Sequence, residues 1–213
     1  MADTASQGVW EPIERLERDA LRRLQLERLQ LTAARCYERV PFYKKRFDEL
    51  GVKPGDIRSL NDLRRLPFTS KADLREGYPT DFWTVSREQL VRVHGSSGTT
   101  GKSTLVAYTK GDMDIWADLI ARILTAGGAR PGHLAQVAFG YGLFTGGFGL
   151  HYGLERLGVA VIPVGGGNTR RQITLLQDMA VDLLICTPSY ALTLAEAIRA
   201  EGIDPKDLAL SRG

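Results

Sequence analysis

Short apolar runs alternate with helical patterns over residues 134–200, and this alternation restricts the fold more than any other feature. The apolar runs lie at residues 134–139, 159–164 and 181–187, and helical periodicity occupies residues 145–157, 169–179 and 189–200. Strands that alternate with helices favour a parallel sheet, and strands that are nearly continuous apolar runs favour burial on both faces. The sequence therefore predicts an α/β fold with an open, mostly parallel sheet and helices on both faces.

The segment before this region predicts two more strands and a helix. Residues 90–94 and 105–109 are strand candidates, and a helix is predicted to begin between Thr109 and Asp112 and to end at Gly127. Apolar residues recur along that helix at three- to four-residue spacing, which predicts a buried stripe made of Ile115, Trp116, Leu119, Ile120 and Ile123.

The first part of the chain has a helical pattern. Apolar residues recur through residues 11–50 with Arg and Glu between them, and Pro41 is predicted to begin a second helix. Ser70 is expected to cap a further helix, with Asp73 reaching back to it. We predict an N-terminal helical segment over residues 1–88 and an α/β subdomain over residues 89–213.

Composition excludes several function classes. The net charge is +3, from 28 basic and 25 acidic residues, which is too small an excess to indicate nucleic-acid binding. No apolar stretch approaches the roughly 18 residues of a membrane span, and the polar N-terminus does not resemble a signal peptide. Cys36 and Cys186 lack metal-ligand spacing, so we expect reduced, buried thiols in a cytoplasmic protein and no metal site built from Cys and His.

A run of Gly, Ser and Thr that ends in Lys102 separates the two early strand candidates. Glycines let successive backbone N–H groups point at an anion, and the lysine adds a positive charge for phosphate oxygens. A Walker A loop has four residues between its first Gly and Gly-Lys-Ser, whereas five separate Gly95 from Gly101 here. A flexible surface loop is the second alternative. The third is a phosphate-binding loop between two strands.

Several ordered segments carry a family resemblance. The Ser-Ser-Gly-Thr-Thr-Gly-Lys segment at residues 96–102 resembles the signature of the adenylate-forming superfamily. Within it the chain resembles the phenylacetate–CoA ligase family, and the segments that carry this closer match are residues 40–43, 66–74, 141–147 with 151–153, 162–169 and 187–190. The resemblance implies an incomplete N-terminal domain of such an enzyme.

The resemblance also implies the activity. Enzymes of this family use Mg²⁺ and ATP to convert a carboxylate into an acyl-adenylate, which then passes to coenzyme A. The residues expected to hold the ATP phosphates are Ser96, Ser97, Gly98, Thr99, Thr100, Gly101 and Lys102. Those expected to line the acyl pocket are Phe139, Tyr141, Gly142 and Phe144. For the aromatic residues the alternative is structural, with Phe139 ending a buried strand and Phe144 packed under a helix.

The catalytic and Mg²⁺-binding residues are expected beyond residue 213, so we expect the chain alone to be inactive. Two other functions stay open: an adenylating enzyme for another acid or acceptor, and a non-catalytic fragment that pairs with a separately encoded second half. A homodimer is a further possible arrangement.

A second glycine-rich segment at residues 165–168 either borders the site or turns the chain into the next helix, and the turn is the preferred interpretation.

Overall fold

The computed structural model describes residues 8–96 and 103–211. The described chain divides into two units, one of residues 12–110 and one of residues 111–211 together with residues 8–11. The boundary predicted between residues 88 and 89 stays a prediction about the domains of the protein.

The first unit is mainly helical. Its helices are α1 (Arg18–Arg39), α2 (Pro41–Glu49) and α3 (Lys71–Glu76), and two short 3-10 helices lie between α2 and α3. Pro41 is the first residue of α2, a position where its missing N–H costs no hydrogen bond. The core of this unit is formed by Ala33, Phe47, Val52 and Ile57.

The cap predicted for α3 is confirmed. The Asp73 N–H donates to Ser70 Oγ at 3.2 Å, and the Ser70 N–H donates to Asp73 Oδ2 at 2.7 Å. The hydroxyl of Ser70 also donates to the Asp73 carboxylate, and this bond is the main reason why the pKa of Asp73 is lowered. The reciprocal bonds satisfy donors that would otherwise be unpaired at the start of the helix.

Two antiparallel strands complete the first unit. They are β1 (Leu90–Gly95) and β2 (Leu105–Thr109), which pair from Leu90 opposite Thr109 to Gly95 opposite Leu105. Both strands were predicted, and their pairing makes residues 96–104 the connection of a hairpin.

The second unit alternates helices and strands as the sequence predicts. Its elements are α4 (Lys110–Ala126), β3 (Leu134–Val137), α5 (Gly146–Leu157), β4 (Ala160–Ile162), α6 (Thr169–Asp178), β5 (Leu183–Ile185) and α7 (Pro188–Ala200). The strands are parallel in the order β4–β3–β5. Gly158 ends α5 in the left-handed conformation, with φ of 86°, as a glycine at a helix end commonly does.

Helices cover both faces of this parallel sheet. Alternate residues of a strand point to opposite faces, so Ala135 and Val137 share one face of β3 while Leu134 and Gln136 share the other. The first face packs into a core that includes Ala121 of α4 and Leu154 of α5. The second face borders a core built from α6 and α7, whose buried members are Ile173, Leu176, Val181, Leu194 and Ile198.

The buried stripe predicted for α4 is wrong in three of its five members. Ile115, Leu119 and Ile123 are 61%, 47% and 63% exposed. The buried positions of the helix are small residues: Ala117, Ala121 and Thr125. The contact of α4 with α5 is made by the side chains of Trp116 and Ile120, which lie over Gly149 and Gly153, while the other three predicted members are exposed to solvent.

The two cysteines of the described chain are free thiols. Both are half-buried rather than fully buried, and burial raises the pKa of each thiol. Among the helices of residues 8–96 and 103–211, none combines the length and apolar character needed to cross a lipid bilayer.

Candidate ligand site at the carboxyl edge of the sheet

The loops that follow β3 and β4 meet at the carboxyl edge of the parallel sheet. The Gly165 N–H donates to the carbonyl oxygen of Val137 at 3.1 Å, and the Ala138 N–H donates to the carbonyl oxygen of Ile185 at 2.8 Å. Open α/β sheets bind ligands outside this edge. The loop that carries the predicted acyl-pocket residues and the glycine-rich segment at residues 165–168 therefore lie where a ligand is expected.

Close backbone approach explains one of the glycines at this edge. A Cβ atom built on Gly147 would lie 2.8 Å from the carbonyl oxygen of Gly140. That distance is shorter than carbon–oxygen contacts allow, so any larger residue at position 147 would displace the preceding loop. The first turn of α5 and the loop after β3 are fitted against each other without a side chain between them.

The aromatic residues predicted for the acyl pocket differ in their surroundings. Phe139 and Tyr141 are half-buried and pack against the core cluster on the α4–α5 face of the sheet. Phe144 is 55% exposed, so the alternative in which it packs under a helix does not hold in this unit. Gly142 is exposed and has open space around its Cα. Their role in binding an acid stays a prediction.

A hydrogen-bonded chain links Tyr141 to α5. Its hydroxyl lies 3.2 Å from Nδ1 of His151, and Nε2 of His151 lies 3.1 Å from Oε1 of Glu155. Burial, with a smaller contribution from the negative charge of Glu155, raises the pKa of Tyr141, so its hydroxyl keeps its proton. No sequence motif points to these contacts of His151 with Tyr141 and Glu155, which are seen only in the structure.

Two buried glutamines hold the second glycine segment. The side-chain amide of Gln136 donates to Oε1 of Gln172 at 2.5 Å, and that of Gln172 donates to the carbonyl oxygens of Gly165 and Gly167 at 2.9 and 3.3 Å. Both glutamine residues are fully buried. Gln136 is a polar residue in the middle of the apolar run at 134–139, and a buried amide needs hydrogen-bond partners. This position in the sequence was therefore the available signal for a buried polar contact.

We expect Gln172→Leu to destabilise the protein by about 1–3 kcal/mol, because the change removes the donor to two loop carbonyls and one of the two acceptors of the Gln136 amide. Urea unfolding followed by circular dichroism measures the difference. Gln177→Leu is the matched control, since Gln177 is an exposed glutamine on the same helix. Equal losses in the two variants would contradict the assigned role.

Most of the predicted phosphate-binding segment lies outside the described residues. That applies to Ser97, Gly98, Thr99, Thr100, Gly101 and Lys102. Its first residue, Ser96, lies at the base of the hairpin: the Ser96 N–H donates to the carbonyl oxygen of Thr104, and the Thr104 N–H donates to Ser96 Oγ, each at 3.0 Å. Since the segment leads into strand β2, the strand–loop–helix context of a Walker A loop does not occur here.

Comparison with known proteins identifies the family. The chain is 51% identical over 210 residues to a phenylacetate–coenzyme A ligase of Aromatoleum evansii and 54% identical over 198 residues to one of Thermus thermophilus. These alignments cover 99% and 93% of the chain. The chain belongs to the phenylacetate–coenzyme A ligase family. It spans about half the length of these curated relatives, 48% and 44% respectively. No family model matches the chain.

Solved structures of a coenzyme A ligase share the fold. A 2-hydroxyisobutyryl-CoA ligase in complex with 2-HIB-AMP and CoA superposes with a TM-score of 0.86 at 34% identity, over 92% of the chain and 43% of that structure. A second structure of that ligase, in the postadenylation state with 2-HIB-AMP, gives a TM-score of 0.85 at 33% identity. The described residues thus have the fold of the N-terminal part of an adenylate-forming ligase.

Proposed function

We propose that the gene product containing these 213 residues activates an aryl carboxylate of the phenylacetate type and transfers it to coenzyme A. The observation that carries the proposal is the identity of 48–54% to four phenylacetate–coenzyme A ligases over 90–100% of the chain. Similarity of that extent reaches the loops at the carboxyl edge of the sheet as well as the core.

The proposed reaction has two balanced steps. A carboxylate oxygen attacks the α-phosphorus of ATP, forming the acyl–phosphate bond and releasing pyrophosphate. The sulfur of coenzyme A then attacks the acyl carbon, forming the thioester and releasing AMP, while the thiol proton passes to solvent. Neither step requires a protein nucleophile. The protein is required to position the reactants and to neutralise charge that develops on the leaving groups.

The hairpin segment is proposed to bind the β- and γ-phosphates. Backbone N–H groups next to glycines, four hydroxyl groups and one ammonium group suit a multiply charged anion. The residues assigned to this role are Ser96, Ser97, Gly98, Thr99, Thr100, Gly101 and Lys102. Support comes from the paired strands on each side, which bring the two ends of the segment together at Ser96 and Thr104.

The loop after β3 is proposed to bind the acid. Phe139, Tyr141 and Phe144 provide aromatic surface, and Gly142 leaves the backbone open to a planar ring. The support is their place at the carboxyl edge of the sheet and the 55% exposure of Phe144, which leaves its ring available for contact.

Mg²⁺ is part of the proposal as the ion that accompanies ATP. Within residues 8–96 and 103–211, no three His, Cys, Asp or Glu side chains come together in a way that could hold a metal ion. The roles proposed for the described residues do not depend on a metal site of their own.

A related acid or acceptor is the second candidate. The structural likeness to a 2-hydroxyisobutyryl-CoA ligase favours it, because that ligase shares this fold while its named acid is small and aliphatic. A homodimer and a separately encoded second half also stay proposals, and light scattering of the purified gene product measures the first of these.

Pyrophosphate exchange tests the proposed function. The complete gene product is incubated with ATP, labelled pyrophosphate and either phenylacetate or 2-hydroxyisobutyrate. We expect phenylacetate to support exchange with a kcat/KM at least about tenfold higher, because an apolar aromatic pocket discriminates by contact area. Addition of coenzyme A should then give phenylacetyl-CoA and AMP. Faster exchange with the aliphatic acid would favour the second candidate, and no exchange with either acid would contradict acid activation.

A further inference from the structure

We propose that His151 and Glu155 are positioning residues for the acid-binding loop, and that they act by holding the hydroxyl of Tyr141. The inference rests on the proposed function of that loop. It assigns a role to two side chains of α5 that belong to neither the phosphate segment nor the aromatic pocket.

The geometry determines which nitrogen of His151 carries the proton. The carboxylate of Glu155 only accepts hydrogen bonds, so the Nε2 atom, 3.1 Å from it, is the one that carries the hydrogen. Neutral imidazole then presents Nδ1 as an acceptor, and the Tyr141 hydroxyl donates to it across 3.2 Å. Glu155 thereby selects the tautomer that can bind the tyrosine.

The orientation of Glu155 is not disturbed by the neighbouring cation. Arg156 follows it in sequence, but its guanidinium pairs with the carboxylate of Asp118 at 3.1 Å and with that of Asp114 at 3.5 Å. Among the described contacts, the partner of the Glu155 carboxylate is therefore His151, one helical turn away.

The loop needs such an anchor because of its composition. Gly140 and Gly142 flank Tyr141, and glycine gives a chain more conformational freedom to lose than any other residue. The ring of Tyr141 packs edge-on against Phe148, with centroids 5.3 Å apart, and the bond to His151 fixes the outer end of the same side chain. Tyr141 thus fastens the middle of the loop, between Phe139 and Phe144, to α5.

A double-mutant cycle in the complete gene product tests the inference. We expect Tyr141→Phe and His151→Leu each to raise the KM for phenylacetate by about five- to tenfold, since each removes the same hydrogen bond. The KM for phenylacetate should rise no further in the double variant than in either single variant, because each single change already removes the hydrogen bond. The KM for ATP should stay within about twofold of the parent in all three.

Two further variants separate positioning from general damage. Glu155 is exposed, so Glu155→Ala should leave the fold intact and still raise the KM for phenylacetate. Glu155→Gln keeps an acceptor for Nε2 of His151, so its KM for phenylacetate should stay close to that of the parent. His133→Leu is the matched control, because His133 is also half-buried but precedes β3, at the opposite edge of the sheet. It should leave the KM unchanged.

Additive losses in the cycle would show that Tyr141 and His151 act separately and would overturn the inference alone. The same conclusion would follow if Glu155→Ala had no effect or if the KM for ATP rose as much as that for the acid. Absence of phenylacetate-dependent exchange in the parent protein would overturn the proposed function, and the inference with it.

Discussion

Replacing Gly153 with valine is expected to lower the free energy of unfolding by about 3 kcal/mol or more. A Cβ atom at this position would lie 2.3 Å from Cγ2 and 2.5 Å from Cβ of Ile120, and 3.2 Å from the backbone nitrogen of Ala121. The Cβ and backbone atoms of α4 are not the free end of a flexible chain, so the two helices would have to separate. Urea unfolding monitored by far-UV circular dichroism measures the loss.

Gly55→Val is the control for this substitution. A Cβ atom on Gly55 would have no atom within 4 Å, so the change alters chain flexibility without creating a clash. If the two valine variants were equally stable, α4 and α5 would not be in the close contact described here.

Replacing Lys102 with alanine is expected to reduce kcat for phenylacetate-dependent pyrophosphate exchange by about 10²-fold. The proposed role of its ammonium group is to offset negative charge on the β- and γ-phosphates while pyrophosphate departs. The effect should be confined to kcat and to the KM for ATP and pyrophosphate, with the KM for the acid unchanged. Exchange measured in the complete gene product at several ATP concentrations separates these quantities.

Lys45→Ala removes the same charge from a surface site. The side chain of Lys45 is 79% exposed and lies 3.9 Å from Glu49 on the same helix, an arrangement that contributes little to stability. Its exchange rate should match that of the parent. A Lys102→Ala variant that also matched the parent would remove the main support for the phosphate-binding role of the hairpin.

Much of the fold followed from the sequence, because local signals and packing agree. Pro41, the Ser70–Asp73 pair and Gly158 mark helix boundaries where the sequence predicts them, since each acts through its own backbone or side-chain geometry. The strand at 134–139 was predicted too long, as β3 ends at Val137. Apolar residues continue past a strand when the loop that follows is itself half-buried, as at Phe139.

The helix contact and the site were harder to predict, for one shared reason. The stripe on α4 was predicted from large apolar residues, yet three of the five are exposed, and the other two, Trp116 and Ile120, pack over glycines of a helix later in the chain. The Tyr141–His151 bond likewise joins a loop to a helix. Such pairings depend on how elements pack, and periodicity within one element carries no information about them.

The contact between α4 and α5 also limits how these helices can change over evolution. The indole ring of Trp116 lies where a side chain at position 149 would begin, with ring atoms 2.6–2.7 Å from a Cβ built on Gly149. A larger residue at 149 therefore becomes tolerable only together with a smaller one at 116. Related sequences should show these two positions varying together. A larger side chain on one helix should accompany a smaller one on the other, so that the summed side-chain volume stays nearly constant.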